Sequence, residues 1–526
     1  MMPDYDFLIK NGKLVDGTGA PWRYADLAVA EGKIAAIEKN LDASNARQVI
    51  DAQGKIVCPG FIDAHTHADV ILLADERMEY RIMQGITTEV VGQDGLSYAP
   101  VSPEHLQEWR KYLTGLNGDY GDRVSWDWTS TAELMGQYDG CASNVIHLIP
   151  HGAVRVEVMG WADRPATKAE LAQMQALVRQ SLREGAAGIS TGLTYIPCNH
   201  ATTEEMIALC EPVGDAGGVL HIHLRSYGAA MLEAVAEAIE MGRQSGAAIE
   251  LSHMRMADPS TWGLSHQVLK LVDDAREEGI DVTYDIYPYT VGCAPLFCLI
   301  PAWAQAGGPD AVMGRLNDEA TRGKIIDELD TWGIDWSFYS LSNFPDTEWG
   351  NWEGARLTEA AQKLDSSVYA FILDALKYSE LDATIVAAGG NEADNLVMLS
   401  HPAGMIGSDG VMVGGQPHPR GYGTYPRLLE KYVRDDKVLR LEDAIHKMTA
   451  MPAARHNIND RGTLKAGMAA DVVVFSLDEM KDNASFDNAL QLPDGFDTVL
   501  INGQAAALNG EYLGSHYGKV LRPFTK

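Results

Sequence analysis

The sequence predicts an α/β protein: a (β/α)8 TIM-type barrel with a small β-sandwich domain built from both chain termini. Three observations predict it. Short apolar runs recur eight times through the middle of the chain, several of them separated by stretches with helical periodicity. That alternation builds βα units around a parallel sheet, and eight such units over so long a stretch suit a closed barrel better than an open doubly wound sheet. Both chain ends instead carry short alternating runs broken by Asn-Gly, Glu-Gly and Gln-Gly pairs, which read as hairpin turns.

At the N-terminal end, residues 6–10 precede the turn Asn11-Gly12, and 26–29, 34–37 and 48–50 follow with Glu31-Gly32 and Gln53-Gly54 between or after them. The texture returns at 470–476 and at 498–501 before Asn502-Gly503. Residues 1–57 and 460–526 are therefore expected to pair as the small domain, with 58–459 as the barrel. Barrel strands are expected at 56–63, 87–91, 144–148, 187–191, 219–223, 248–252, 282–286 and 404–408, and helices at 168–184, 203–214, 229–245 and 264–279. A long insertion, about 293–400, separates the last two strands; a lid or a substrate-shaping region is the natural role of such a segment.

Composition narrows the class. The chain has 526 residues, 46% hydrophobic, enough for a large buried core and too many for a disordered chain. With 42 Lys+Arg against 73 Asp+Glu, the net charge of −31 gives no general attraction for nucleic acid or an anionic membrane. No apolar run approaches the ~18 residues of a membrane span, and early acids, Asp4 and Asp6, take the place of a signal core. The six cysteines form no C-x-x-C pair and are expected to be reduced. A cytoplasmic protein is the expectation, and a homo-oligomer is compatible with it.

The string Pro59-Gly60-Phe61-Ile62-Asp63-Ala64-His65-Thr66-His67 carries the strongest chemical signal. Side chains alternate along a strand, so His65 and His67 point the same way, at the strand end where a barrel gathers its catalytic groups. Two imidazoles so placed can chelate one divalent ion. His223 and His253 end two later strands, Asp409 ends the last, and Asp94 follows the second. Histidines and carboxylates at five strand exits would converge on one barrel mouth as a metal site.

These motifs, with the closing Gly462-Thr463-Leu464-Lys465-Ala466-Gly467-Met468-Ala469-Ala470-Asp471, resemble the metal-dependent amidohydrolase superfamily. The strings Gly192-Leu193-Thr194-Tyr195-Ile196-Pro197, His223-Leu224-Arg225, Asp285-Ile286-Tyr287-Pro288-Tyr289 and Pro417-His418-Pro419-Arg420-Gly421-Tyr422-Gly423-Thr424 look like its N-acyl-D-amino-acid deacylase (D-aminoacylase) branch. The resemblance implies a Zn²⁺ enzyme, with one or two ions and other divalent metals as alternatives. His65 and His67 would bind the more exposed ion and His223 and His253 the tighter one, and Asp409 would be a ligand and the general acid/base beside a metal-bound water. Tyr195 and Tyr287 would contact the substrate and Arg255 would hold its carboxylate. Position 255 is usually Lys in these deacylases; arginine offers a bidentate fork. The branch's best-known members also carry a metal-binding cysteine in a G-N-C-G string, where this chain has Gly92-Gln93-Asp94-Gly95. Asp94 is a harder oxygen ligand able to bridge two cations.

Other residues carry competing readings. His151 lies at a third strand exit and is a candidate substrate contact or a turn histidine. His221 reads as packing or as support behind the ligands, His147 as core, Trp332, Trp336, Trp349 and Trp352 as the insertion's apolar filling, and Asp471 as a turn terminator. The expected activity is hydrolysis of N-acyl-D-amino acids to a carboxylate and a free D-amino acid by metal-hydroxide attack, on a small-molecule substrate with a carboxylate. The alternatives are a cyclic amide or imide hydrolase of hydantoinase or dihydroorotase type, and an inactive barrel serving as a binding protein.

Overall fold

The structure, a computed structural model, describes residues 4–524; residues 1–3 and 525–526 of the expected terminal domain lie outside them. Eight parallel strands form the centre: β1 (Phe61–Asp63), β2 (Ile86–Val91), β3 (Asn144–His147), β4 (Gly188–Gly192), β5 (Val219–His223), β6 (Ala248–Leu251), β7 (Val282–Ile286) and β8 (Gly404–Ile406). Strands β4 to β8 pair in chain order, and so do β1 to β3. The short continuation Ile149–Pro150 carries β3 onto β4, pairing Ile189 with Ile149. Between β8 and β1, Ala64 N–H donates to Ile406 O and Asp409 N–H to His65 O, at 3.3 and 2.7 Å. All eight strands are thus linked edge to edge, as in a barrel.

Strands buried on both faces favour apolar residues, and β8, Gly-Met-Ile, is buried throughout; the polar residues of the equally buried β7, Thr283 and Asp285, have hydrogen-bond partners. The helix Lys168–Glu184 shows the complementary pattern: Met174, Val178 and Leu182 recur every four residues on its buried side. Thr167 and Glu170 form a reciprocal cap at its start, and Gly185 in the left-handed region ends it.

The first expected strand, 56–63, is two. Ile56–Pro59 pairs with Val472–Phe475 in the terminal sheet, and Phe61–Asp63 pairs with β2. Gly60 makes the transfer. Its N–H donates to Asp471 O at 2.9 Å, and a Cβ there would stand 2.2 Å from Thr87 Oγ1.

Strands from both chain ends form one nine-stranded sheet. It has an apolar core of its own, including Ile9, Leu27, Val29, Val472, Val474 and Leu500. Asp471 proves to be more than a turn residue. Its buried carboxylate pairs with Arg461 and accepts from Asn144 Nδ2 on β3 and from the Asn502 N–H, at 3.0 and 2.6 Å, tying that sheet to the barrel.

The insertion contains a three-stranded antiparallel sheet of Gly292–Pro295, Thr384–Ala387 and Tyr339–Asn343. Trp349 stacks on Tyr378 with centroids 5.2 Å apart and also meets Trp352, so these indoles are packing groups, as expected. Among the described residues no helix is long and apolar enough to cross a membrane, and all six cysteines are free thiols.

Candidate active site

His65 and His67 follow β1 and lie almost wholly inside the protein. His65 Nδ1 is 3.2 Å from Asp285 Oδ2 at the end of β7, which leaves its Nε2 facing the barrel mouth. That Nε2 is 3.7 Å from Asp94 Oδ1 and 3.8 Å from Asp409 Oδ1. His67 Nε2 is 3.6 Å from Asp94 Oδ2 and 3.3 Å from Asp409 Oδ1. From β5 and β6, His223 Nδ1 and His253 Nε2 come within 3.6 and 3.7 Å of Asp94 Oδ2 and 3.0 Å of each other. Asp94 is therefore the hub of four imidazoles.

The backbone holds this arrangement under strain. Asp94, His253 and Asp409 have φ of 58, 35 and 49°, left-handed values that non-glycine residues adopt only when their surroundings impose them. At the Asp94 loop, a Cβ on Gly92 would lie 2.3 Å from Leu148 O, and Ser190 Oγ accepts the Gly95 N–H at 2.9 Å. At His253, the backbone N–H donates to Asp285 Oδ1 at 2.9 Å. Asp285 thus fixes two of the imidazole-bearing residues at once. His223 Nε2 meets Thr194 Oγ1 at 2.8 Å, which orients its Nδ1 inward.

Burial opposes the negative charge of Asp94, but His65 and the hydrogen bonds of the other three imidazoles outweigh it and hold the carboxyl well below the usual range. For Asp409, burial is outweighed first by Arg420, whose Nη1 lies 2.6 Å from Oδ2, and its carboxyl is likewise held low. Burial likewise opposes a charge on His65, but Asp285 and Asp94 raise its pKa to about 10.

The donor set fits a divalent cation. His65 Nε2 and Asp94 Oδ1 are buried without a hydrogen-bond partner, a costly state for polar atoms that have no cation or water to meet. Two groups, His65–His67–Asp409 and His65–Asp94–His253, bring their ligand atoms within 4.8 Å of one another. Imidazole nitrogen and carboxylate oxygen are Zn²⁺ donors.

A cavity of ≈ 150 Å³ opens onto this cluster. Tyr195, Tyr227, Tyr287, Arg255 and Arg420 line it beside the histidines, and Leu116, Cys293, Ala294, Pro295 and Val411 form its apolar wall. The Tyr287 ring lies under both guanidiniums, 5.7 Å from Arg255 and 4.8 Å from Arg420. Tyr195 lies against His223 at 4.6 Å. Gly292 leaves room for Arg255: a Cβ there would stand 2.1 Å from Nη2.

His65, His67, Asp94, His223, His253, Asp409, Tyr195, Arg255 and Tyr287 are thus brought together. His151 is not. It opens the helix His151–Met159 with no exposed surface, its Nδ1 2.8 Å from Thr191 Oγ1 and its Nε2 3.8 Å from Glu205. The helix start turns the ring behind the Asp94 loop, where Gly152 packs on Gly95, so the substrate contact expected of His151 is withdrawn. His221 meets His456 Nε2 at 3.0 Å, and His147 is buried, both structural as expected.

Sequence reasoning assigned no role to Arg420, Asp285, Tyr227 or Thr194. Asp285 sits at a strand end by the same logic that singled out His223 and His253. Arg420 lies within the Pro417–Thr424 string, but its partner Asp409 is identified only by the fold.

Fold and site together define a barrel protein with a histidine–carboxylate cation site at the C-terminal ends of its strands. The chain belongs to the amidohydrolase family, whose profile its residues 48–506 match. It is 33% identical over 525 residues to a D-aminoacylase from Alcaligenes xylosoxydans xylosoxydans, covering 98% of this chain and 97% of that one. It is 34% identical to an N-acyl-D-aspartate deacylase from the same organism, covering 98% and 95%. The crystal structure of N-acyl-D-glutamate deacylase from Bordetella bronchiseptica, complexed with zinc and a phosphonate mimic of the tetrahedral intermediate, superposes with a TM-score of 0.84 at 31% identity, covering 99% of this chain and all of that one.

Proposed function

We propose that this protein is a Zn²⁺-dependent deacylase that hydrolyses N-acyl-D-amino acids to a carboxylate and a free D-amino acid. The observation that carries the proposal is the cluster of four imidazoles and two carboxylates facing a cavity that also holds Arg255. The Bordetella structure, a zinc-containing deacylase of the same fold, supports the choice of metal and reaction. His65, His67, Asp94, His223, His253 and Asp409 would hold one or two ions. When bound, Zn²⁺ supplies Lewis acidity toward water and the amide carbonyl.

The protein's own groups do the rest. Arg420 grips Asp409 Oδ2 and leaves Oδ1 toward the cluster, so Asp409 stays ionised and Oδ1 is the oxygen that would take a proton from water. The same oxygen then passes that proton to the leaving nitrogen. Arg255 receives the α-carboxylate through a fork of N–H donors, and Tyr195 and Tyr287 fix the amide between the two ends. The proposed location is the cytoplasm, supported by six free thiols.

The test is hydrolysis of N-acetyl-D-leucine, N-acetyl-L-leucine, a hydantoin and dihydroorotate on one metal-analysed sample. The D-amide is expected to react and the others to lag far behind. Turnover of the cyclic amides with none of the D-amide would replace this reading with the cyclic-amide one.

A further inference from the structure

We infer that the substrate carries one negative charge and no more: the α-carboxylate goes to Arg255, while the acyl group and the amino-acid side chain are both uncharged. This rests on the deacylase reading and adds a charge requirement to it.

The charges of the cavity set this limit. Besides the metal-site groups, its lining contains two permanent side-chain cations, Arg255 and Arg420. Arg420 is 1% exposed and already paired, with Nη1 2.6 Å from Asp409 Oδ2. Turning it toward a ligand would strand a buried carboxylate. Arg255 differs: its Nη1 donates to the carbonyl of Thr290 at 3.2 Å, and it forms no ion pair among the described residues. One cation is therefore uncommitted, and one carboxylate uses it.

A second carboxylate would find no second uncommitted side-chain cation. Leu116, Ala294, Pro295, Val411 and the Cys293 thiol supply the apolar part of the lining, and none of these side chains carries a positive charge. The two lining carboxylates, Asp94 and Asp409, carry the wrong sign. A space of ≈ 150 Å³ does not let a charged arm keep its water, and an unpaired anion in such a place is strongly disfavoured. Whichever arm meets the apolar wall, neither orientation supplies another side-chain cation. Overall likeness does not separate neutral from acidic substrates; the charge of the cavity does.

The experiment compares near-isosteric pairs on the metal-loaded enzyme. N-acetyl-D-glutamine against N-acetyl-D-glutamate varies the side-chain charge, and N-butyryl-D-leucine against N-succinyl-D-leucine varies the acyl charge. In each pair the charged member should fall by at least about 10²-fold in kcat/KM. An acidic member that matches or exceeds its neutral partner in either pair overturns the inference and leaves the deacylase reading standing. Turnover of no D-substrate in the panel takes down both.

Discussion

Replacing Asp409 with asparagine separates two roles that one side chain combines. Its Oδ1 lies 3.3 Å from His67 Nε2 and its Oδ2 2.6 Å from Arg420 Nη1, with both partners of the ion pair buried. Asn keeps the shape and loses the charge, so Arg420 becomes a buried cation without a counterion. Removing one partner of a buried pair costs about 3–5 kcal/mol, a large part of the ~5–15 kcal/mol by which proteins are stable. Loss of the proton shuttle should separately lower kcat by ~10²–10⁴-fold. The assay is kcat on N-acetyl-D-leucine with bound metal measured on the same sample, beside denaturant unfolding. The double variant Asp409→Asn/Arg420→Gln removes both charges and should recover much of the stability but none of the rate. An Asp409→Asn protein that keeps its metal and nearly all of its kcat would refute the shuttle role. If the two substitutions add without coupling, the buried pair is not the stabilising contact described.

Three further outcomes are expected. Arg255→Met should raise KM for N-acyl-D-amino acids by ~10–100-fold, the loss of a charged hydrogen bond, while the already poor methyl esters should barely change; equal turnover of acid and ester by the unaltered enzyme would remove Arg255 from carboxylate binding. Asp285→Asn should weaken metal affinity ~10–100-fold because it frees His65 and the His253 backbone, and chelator competition showing unchanged affinity would count against that support. Asp94→Ala should lose bound metal and Asp94→Cys should keep a tight ion, since thiolate also suits Zn²⁺; an alanine variant with normal metal content and rate would reduce Asp94 to a loop residue.

Much of the fold was legible because strands buried on both faces read as short apolar runs. β5 and β7 were located to the residue, and the helix Lys168–Glu184 was marked at both ends by its own capping residues. The break at Gly60 was not legible, because the apolar run continues through it and the cause is Thr87, a neighbour only in the fold. The inward-facing histidines followed from strand alternation. His151 misled for the opposite reason: it comes after a strand exit, but the chain has already begun a helix that carries it behind the Asp94 loop. Asp285 and Arg420 act by holding other site residues, and such partners are far apart in sequence: Asp285 lies 220 positions from His65. Periodicity carries no trace of such pairings.

Metal removal and restoration test the central claim most directly. The protein would be dialysed against a chelator, checked for metal by elemental analysis, and assayed with N-acetyl-D-leucine before and after titration with Zn²⁺. The account predicts that the stripped protein is inactive and that activity returns as the first one or two equivalents bind. Full activity in a sample shown to be metal-free would contradict it.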